Sequence, residues 1–282
     1  MSPFEPGRIA AITFDFGNTL VLVGRAGLRA VVGATGRAVV ETLGPFDLDE
    51  YLRVWSEERD RQFREEVPQF RETDLGERFV RVLARLRGMP APPVDVRWDQ
   101  ASAARLSTSD EIDWALGVYS SSFVGRLPPV PAAGPLLEAL AERHAIGILS
   151  NWPFAATIDR YVEAMGWTPF IGAIVVSQRV GVIKPHPAIF AAARRALGDP
   201  PPDAILHVGD DWAADVVGAA RAGWRVAYVD RRPADSPLPS SQRDGSVVPD
   251  LEIGSIAELL PLFRGADGVA GDAREDRALS PG

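Results

Sequence analysis

The chain of 282 residues contains no cysteine and a single lysine. Without cysteine it has no disulfide bond, no thiolate nucleophile and no zinc site built on thiolates. No apolar run reaches membrane-spanning length, and no charged stretch followed by an apolar segment of signal-peptide length opens the chain. We therefore expect a cytoplasmic protein that has no membrane partner.

The chain also has fewer basic residues than acidic ones, 30 against 38. The net charge is −8 and the isoelectric point is near 5.0, which argues against a general nucleic-acid or anionic-membrane binder. Of the 30 basic residues, 29 are arginine and one is Lys184. One lysine must lie somewhere by chance, but an ammonium group can approach a phosphate and a carboxylate together, which a planar guanidinium does poorly. Lys184 is therefore a candidate site residue.

What the chain does contain is a set of short, continuous apolar runs. The first, Ile9 to Phe14, leads directly into Asp15 and then into the turn-forming residues Gly17 and Asn18. Such runs are typical of parallel strands covered on both faces, and ligands bind beyond the carboxyl ends of those strands. Asp15 is therefore placed for chemistry, although a strand-end aspartate can also simply start a turn or cap a helix.

The remaining pattern predicts an α/β fold with a Rossmann-like parallel sheet. After the Asp15 turn, residues 23 to 127 have apolar positions at helical spacing, which predicts an inserted domain of α-helices. From residue 128 strands and helices alternate, which predicts a parallel sheet with right-handed crossovers. We expect residues 1 to 22 and 128 to 264 to form the core domain, residues 231 to 249 within it to be a loop, and residues 265 to 282 to be a disordered tail.

The helices predicted in the insertion are Leu28 to Leu43, Leu48 to Glu66, Leu75 to Leu86, Trp98 to Leu106 and Glu111 to Phe123. The last of them has Ser109 or Asp110 as its expected N-cap.

Polar residues lie at the ends of two more predicted strands. Ser150 and Asn151 end one strand, and Asp210, Asp211 and Asp215 follow another. Hydroxyl and amide donors near helix N-termini bind phosphate, and carboxylates gathered at one sheet edge repel each other unless a cation such as Mg²⁺ joins them. The alternative interpretation is that these residues are ordinary helix caps.

Four stretches resemble, in order and spacing, the motifs of the haloacid dehalogenase superfamily: Asp15-Phe16-Gly17-Asn18-Thr19-Leu20, Leu149-Ser150-Asn151, Lys184-Pro185 and Gly209-Asp210-Asp211-Trp212-Ala213-Ala214-Asp215. The helical insertion between the first two resembles the helical cap of that family, of the C1 type.

The resemblance implies a role for each matching residue. Asp15 would attack phosphorus and form an aspartyl-phosphate that water then hydrolyses. Ser150, Asn151 and Lys184 would bind the transferring phosphoryl group. Asp15, the Gly17 carbonyl and Asp210 would hold Mg²⁺, supported by Asp215 or Asp211.

The chain departs from the family at Gly17. Most phosphatases of the family have a second aspartate there, which protonates the leaving group, and such general acid catalysis contributes on the order of 10²–10⁴ in rate. One interpretation is a phosphatase whose leaving group needs little protonation, such as a sugar 1-phosphate or an acyl phosphate. A second is carbon–halogen hydrolysis, although haloacid dehalogenases also lack the metal-binding acids that this chain has. A third is a regulatory module that binds phosphate or a partner without efficient turnover.

The sequence thus predicts a magnesium-dependent hydrolase of small phosphorylated metabolites. Phosphonate-cleaving relatives need a lysine in the cap, and residues 23 to 127 contain none. No nucleic-acid partner is expected, and the oligomeric state is not predicted.

Overall fold

The computed structural model describes residues 3–264, and within them one parallel sheet forms the centre of the fold. Its six strands are β1 (Ala11–Phe14), β2 (Ala145–Ser150), β3 (Ala173–Val176), β4 (Ile205–Gly209), β5 (Arg225–Val229) and β6 (Leu251–Ile253). The strand order is β3-β2-β1-β4-β5-β6, and every neighbouring pair is parallel. The predicted α/β fold with a Rossmann-like sheet is confirmed.

The order of the strands explains where a site can form. The chain leaves β1 for β2 on one side and returns to β4 on the other, so the three strands end side by side. Phe14 is in register with Ile148 of β2 and Val208 of β4. Ligands bind at such a reversal of strand order because the loops diverge there and leave a crevice. Asp15 follows Phe14 and lies at this point.

Helices inserted between β1 and β2 make up the predicted cap: α1 (Arg25–Thr42), α2 (Leu48–Glu66), α3 (Leu75–Leu86), α4 (Gln100–Ala104) and α5 (Ser109–Val124). The bounds of α2 and α3 agree with the prediction. The expected N-cap of α5 was wrong, because Thr108 caps it rather than Ser109 or Asp110. The Thr108 side chain accepts from the Glu111 amide, and the Glu111 carboxylate accepts from the Thr108 amide. This reciprocal pair satisfies two amide groups at once.

The remaining helices surround the sheet: α6 (Ala133–Ala141), α7 (Ala155–Ala164), α8 (Ser177–Val180), α9 (Pro187–Ala196), α10 (Gly218–Arg221) and α11 (Leu259–Arg264). The alternation of strands and helices after residue 128 predicts one helix over residues 213 to 222, but the structure has a π-helical segment, Trp212–Val217, before α10. Residues 231 to 249 contain neither helix nor strand, as predicted. The predicted disordered tail lies outside the described residues.

An aromatic cluster joins α5 to the turn after β1. Phe123 of α5 lies 6.1 Å from Phe16, 5.2 Å from Trp152 and 6.0 Å from Tyr161, measured between ring centroids. All four side chains are buried in one continuous apolar core. Phe16, the residue after Asp15, is therefore held in place by α5 as well as by the sheet. The domain bounds at residues 22 and 128 stay a prediction. Across residues 3–264, the helices are all too short or too polar to traverse a lipid bilayer.

Candidate active site

Three buried carboxylates converge at the carboxyl edge of the sheet. Asp15 follows β1, Asp210 follows β4, and Asp215 lies in the π-helical segment; one oxygen from each lies within 4.8 Å of the others. The approach of Asp215 depends on Gly209, because a Cβ there would lie only 2.3 Å from the Asp215 carboxyl carbon. The sequence placed these acids at strand ends, and the structure brings these three together.

Lys184 lies between two of the carboxylates. Its ammonium group donates to Asp15 Oδ1 at 2.8 Å, to Asp215 Oδ1 at 2.6 Å and to the Leu149 carbonyl at 2.8 Å. The side chain is 2% exposed. Burial alone lowers the pKa of Lys184, but the two carboxylates outweigh burial and raise the pKa above its ordinary value. The one lysine of the chain is therefore charged and fully engaged in this cluster.

Asp215 uses both of its oxygens to hold its surroundings in place. Oδ1 accepts from Lys184 and lies 3.1 Å from His207 Nε2, while Oδ2 accepts from the Asp211 amide at 2.9 Å. Burial raises the pKa of Asp215, but Lys184 and His207 hold it well below its usual range. Burial lowers the pKa of His207, whose other ring nitrogen lies 2.8 Å from Thr13 Oγ1. Asp215 is thus an ionised group that positions Lys184.

Asp210 and Asp15 remain short of positive charge. Burial, together with the charges of Asp15 and Asp215, raises the pKa of Asp210 to about 8. Burial also raises the pKa of Asp15, although Lys184 opposes the increase. Lys184 pairs with Asp15 and Asp215, and Asp210 has only an Arg232 guanidinium 3.4 Å from its Oδ2. A further cation beside Asp15 and Asp210 would relieve the remaining repulsion among the three carboxylates.

The other predicted site residues lie at the same edge in different roles. Ser150 is buried at the end of β2. The Asn151 side chain accepts from the Lys184 amide at 2.7 Å and donates to the Lys184 carbonyl at 3.1 Å, so it fixes the backbone that carries the lysine. The Asp211 carboxylate is not one of the three converging acids. It accepts from the Ala214 amide at 2.8 Å and caps the π-helical segment.

The family of the chain follows from a comparison with known proteins. A family model described as haloacid dehalogenase-like hydrolase matches residues 9–223, well over half of the chain. The chain belongs to this hydrolase family. The resemblance read from the four motifs is therefore confirmed.

Similar proteins of the family differ in their named activities. The chain is 28% identical over 257 residues to the glyceraldehyde 3-phosphate phosphatase of Methanopyrus kandleri, which covers 91% of this chain and 97% of that protein. It is 30% identical over 161 residues to the pyrimidine 5'-nucleotidase YjjG of Escherichia coli, covering 56% and 68%. The fold is similar to that of a 2-haloacid dehalogenase from Pseudomonas syringae, with a TM-score of 0.63, 22% identity and coverage of 91% and 99%. The names of these similar proteins thus include a phosphatase, a nucleotidase and a dehalogenase.

Sequence reasoning missed one part of this hydrolase site, which we term the edge loop, residues 231 to 249. Its Arg232 side chain lies 3.4 Å from Asp210 Oδ2, and its Ser236 hydroxyl accepts from the Asn18 side chain at 3.0 Å. Ser241 donates to the Asp211 carboxylate from its amide at 2.9 Å and from its hydroxyl at 2.8 Å. The sequence contains no signal for these contacts, because an aperiodic loop has no pattern that indicates what it covers.

Proposed function

We propose that this hydrolase removes phosphate from small phosphorylated metabolites in a magnesium-dependent reaction, with Asp15 as the nucleophile. The observation that supports it most is the arrangement of Asp15, Asp210 and Asp215 around one buried lysine. This arrangement has an excess of negative charge and only oxygen donors. Such a site suits a hard divalent cation and a phosphoryl group whose charge the cation and lysine share.

The residues present fit Mg²⁺. Asp15 offers the oxygen that Lys184 does not hold, and Asp210 offers a buried carboxylate whose pKa is raised by burial and by Asp15 and Asp215 despite Arg232 nearby. We propose that these two carboxylates and the carbonyl of Gly17 hold the ion. Asp215 supports it indirectly through Lys184, while Asp211 anchors the neighbouring loop. When bound, Mg²⁺ would neutralise charge on the transferring phosphoryl group.

The chain's own residues would carry out the reaction in two displacements. One oxygen of Asp15 attacks phosphorus, the bond from phosphorus to the leaving oxygen breaks, and an aspartyl-phosphate forms. Water then attacks that phosphorus, which releases inorganic phosphate and restores the Asp15 carboxylate. Lys184 neutralises negative charge on the phosphoryl group in both steps. The Ser150 hydroxyl and the Asn151 backbone amide bind phosphoryl oxygens, while the Asn151 side chain keeps Lys184 in place.

Two alternatives have less support. Displacement of halide by Asp15 needs no cation site, so it leaves the buried Asp210 unexplained. A regulatory module that binds phosphate without turnover would use the same residues. The phosphatase names of the relatives favour turnover at phosphorus.

The test is phosphate release from sugar, nucleotide and acyl phosphates, with Mg²⁺ or with EDTA. Wild type and Asp113→Asn, a control at an exposed position, should release phosphate only with Mg²⁺, and Asp15→Asn should fall to background. Halide release from 2-chloropropionate without metal would establish the dehalogenase alternative. Phosphate binding without any product would establish the regulatory one.

A further inference from the structure

The space beside Gly17 is filled by a side chain of the edge loop. Gly17 does not have a left-handed backbone conformation, so its φ angle does not require glycine. The neighbour is in the edge loop: a Cβ at position 17 would lie 2.5 Å from Leu238 Cδ1, so the end of the Leu238 side chain would have to shift to admit it. It would also lie 3.5 Å from Trp152 and 3.9 Å from Val23. Leu238 therefore occupies the space into which a residue-17 side chain would extend.

Polar contacts on both sides hold Leu238 in that space. Its carbonyl accepts a hydrogen bond from Arg232, whose guanidinium also lies 3.4 Å from Asp210 Oδ2. Its amide donates to Ser236 Oγ at 3.4 Å, and that oxygen also accepts from Asn18 at 3.0 Å. The Leu238 side chain itself packs on the main apolar core. The edge loop is thus attached to residues on either side of Asp15.

We propose that Leu238 is a specificity-determining residue that forms an apolar wall beside Gly17 and restricts the enzyme to phosphates with good leaving groups. The proposal rests on the proposed phosphatase function. An apolar wall offers no proton and keeps water away from the oxygen that departs. An alkyl alkoxide is a poor leaving group without a proton, whereas a carboxylate or a phenolate leaves unaided. Acyl phosphates and other phosphates of acidic hydroxyl groups are therefore the substrate class that this wall admits.

The test measures kcat/KM for acetyl phosphate, 4-nitrophenyl phosphate and glycerol 3-phosphate in a double-mutant cycle. The proteins are wild type, Gly17→Asp, Leu238→Ala and the double variant. Wild type should prefer the first two compounds over glycerol 3-phosphate by about a hundredfold or more, the size of missing general acid help. Gly17→Asp alone should improve glycerol 3-phosphate hydrolysis less than the double variant does, because Leu238 must move aside for the new side chain. The double variant should improve it by about tenfold or more over either single variant.

Matched controls separate this role from a structural one. Val248→Ala alters the same loop at a side chain that is 80% exposed, and it should keep the wild-type selectivity. Melting temperatures provide a second cycle: Gly17→Ala should lower the melting temperature in wild type and lower it less in the Leu238→Ala background.

The outcomes distinguish this proposal from the function on which it rests. If wild type releases no phosphate from any of the three compounds, the proposed function fails and this inference falls with it. If wild type is active but hydrolyses the three compounds equally well, the inference alone is overturned. Independent effects of the two substitutions on glycerol 3-phosphate would overturn it as well.

Discussion

At the scale of single residues, Lys184 stabilises the folded state because it neutralises two buried carboxylates, Asp15 and Asp215. Replacing it by methionine leaves Asp15 and Asp215 without their common cation. Removal of one partner from a buried ion pair typically costs about 3–5 kcal/mol. We expect Lys184→Met to lose about that much unfolding free energy in urea denaturation, in addition to its activity.

The matched control for Lys184→Met is Arg194→Met, which breaks a 3.1 Å pair with Asp199 whose side chains are 41% and 55% exposed. Exposed pairs contribute about 0–1 kcal/mol, so this variant should remain close to wild type. Equal losses in the two variants would contradict the structural importance of the buried lysine.

Glu72 provides a pH-dependent test at the same scale. Burial raises the pKa of Glu72 above its ordinary value of 4.5, despite hydrogen bonds from Ser177 and Thr73. The folded chain therefore holds this proton more tightly than the unfolded chain. The resulting stability is complete below 4.5 and is lost as the pH rises through the folded pKa. Glu72→Gln removes this dependence, so its stability relative to wild type should increase from acid to neutral pH.

Urea unfolding of Glu72→Gln and wild type across that pH range measures the difference. Glu163→Gln, at an exposed position, is the control. A stability difference between Glu72→Gln and wild type that stays constant with pH would contradict the assigned environment of Glu72.

At the scale of elements, the start of α5 depends on Thr108. Because the Thr108 side chain satisfies the amide of Glu111, Thr108→Ala should cost about 0.5–2 kcal/mol of unfolding free energy. Ser109→Ala, one residue along and also exposed, changes no capping contact and should have little effect. Urea denaturation of both variants checks this, and the reverse order of stabilities would restore the cap expected from the sequence.

At the scale of the whole molecule, Phe123 connects the inserted helices to the sheet. Its ring packs against Phe16 and Trp152 in the core, so Phe123→Ala should lower the free energy of unfolding by about 3–5 kcal/mol. Wild type should unfold in one transition, whether followed by tryptophan fluorescence or by circular dichroism. The control Phe70→Ala, at a side chain that is 45% exposed, should lose much less unfolding free energy than Phe123→Ala. Two separate transitions in wild type would contradict this coupling.

The sequence predicted the features of the molecule that follow from periodicity and from strand ends. Apolar runs ending in acids place Asp15 and Asp210 at one edge, because parallel strands align their carboxyl ends. The sequence did not predict two features that depend on individual local hydrogen bonds, the N-cap at Thr108 and the π-helical segment Trp212–Val217. The position of Leu238 beside Gly17 joins residues far apart in the chain, and nothing in an aperiodic loop indicates such a partner.

The most direct test of the central claim is to trap Asp15 during turnover. Borohydride reduces an aspartyl-phosphate to homoserine but leaves a free carboxylate unchanged. The enzyme would be quenched with borohydride while hydrolysing acetyl phosphate with Mg²⁺, and its peptides analysed by mass spectrometry. We predict homoserine at position 15, and aspartate there when the substrate is omitted. Aspartate at position 15 in enzyme that is releasing phosphate would contradict the account.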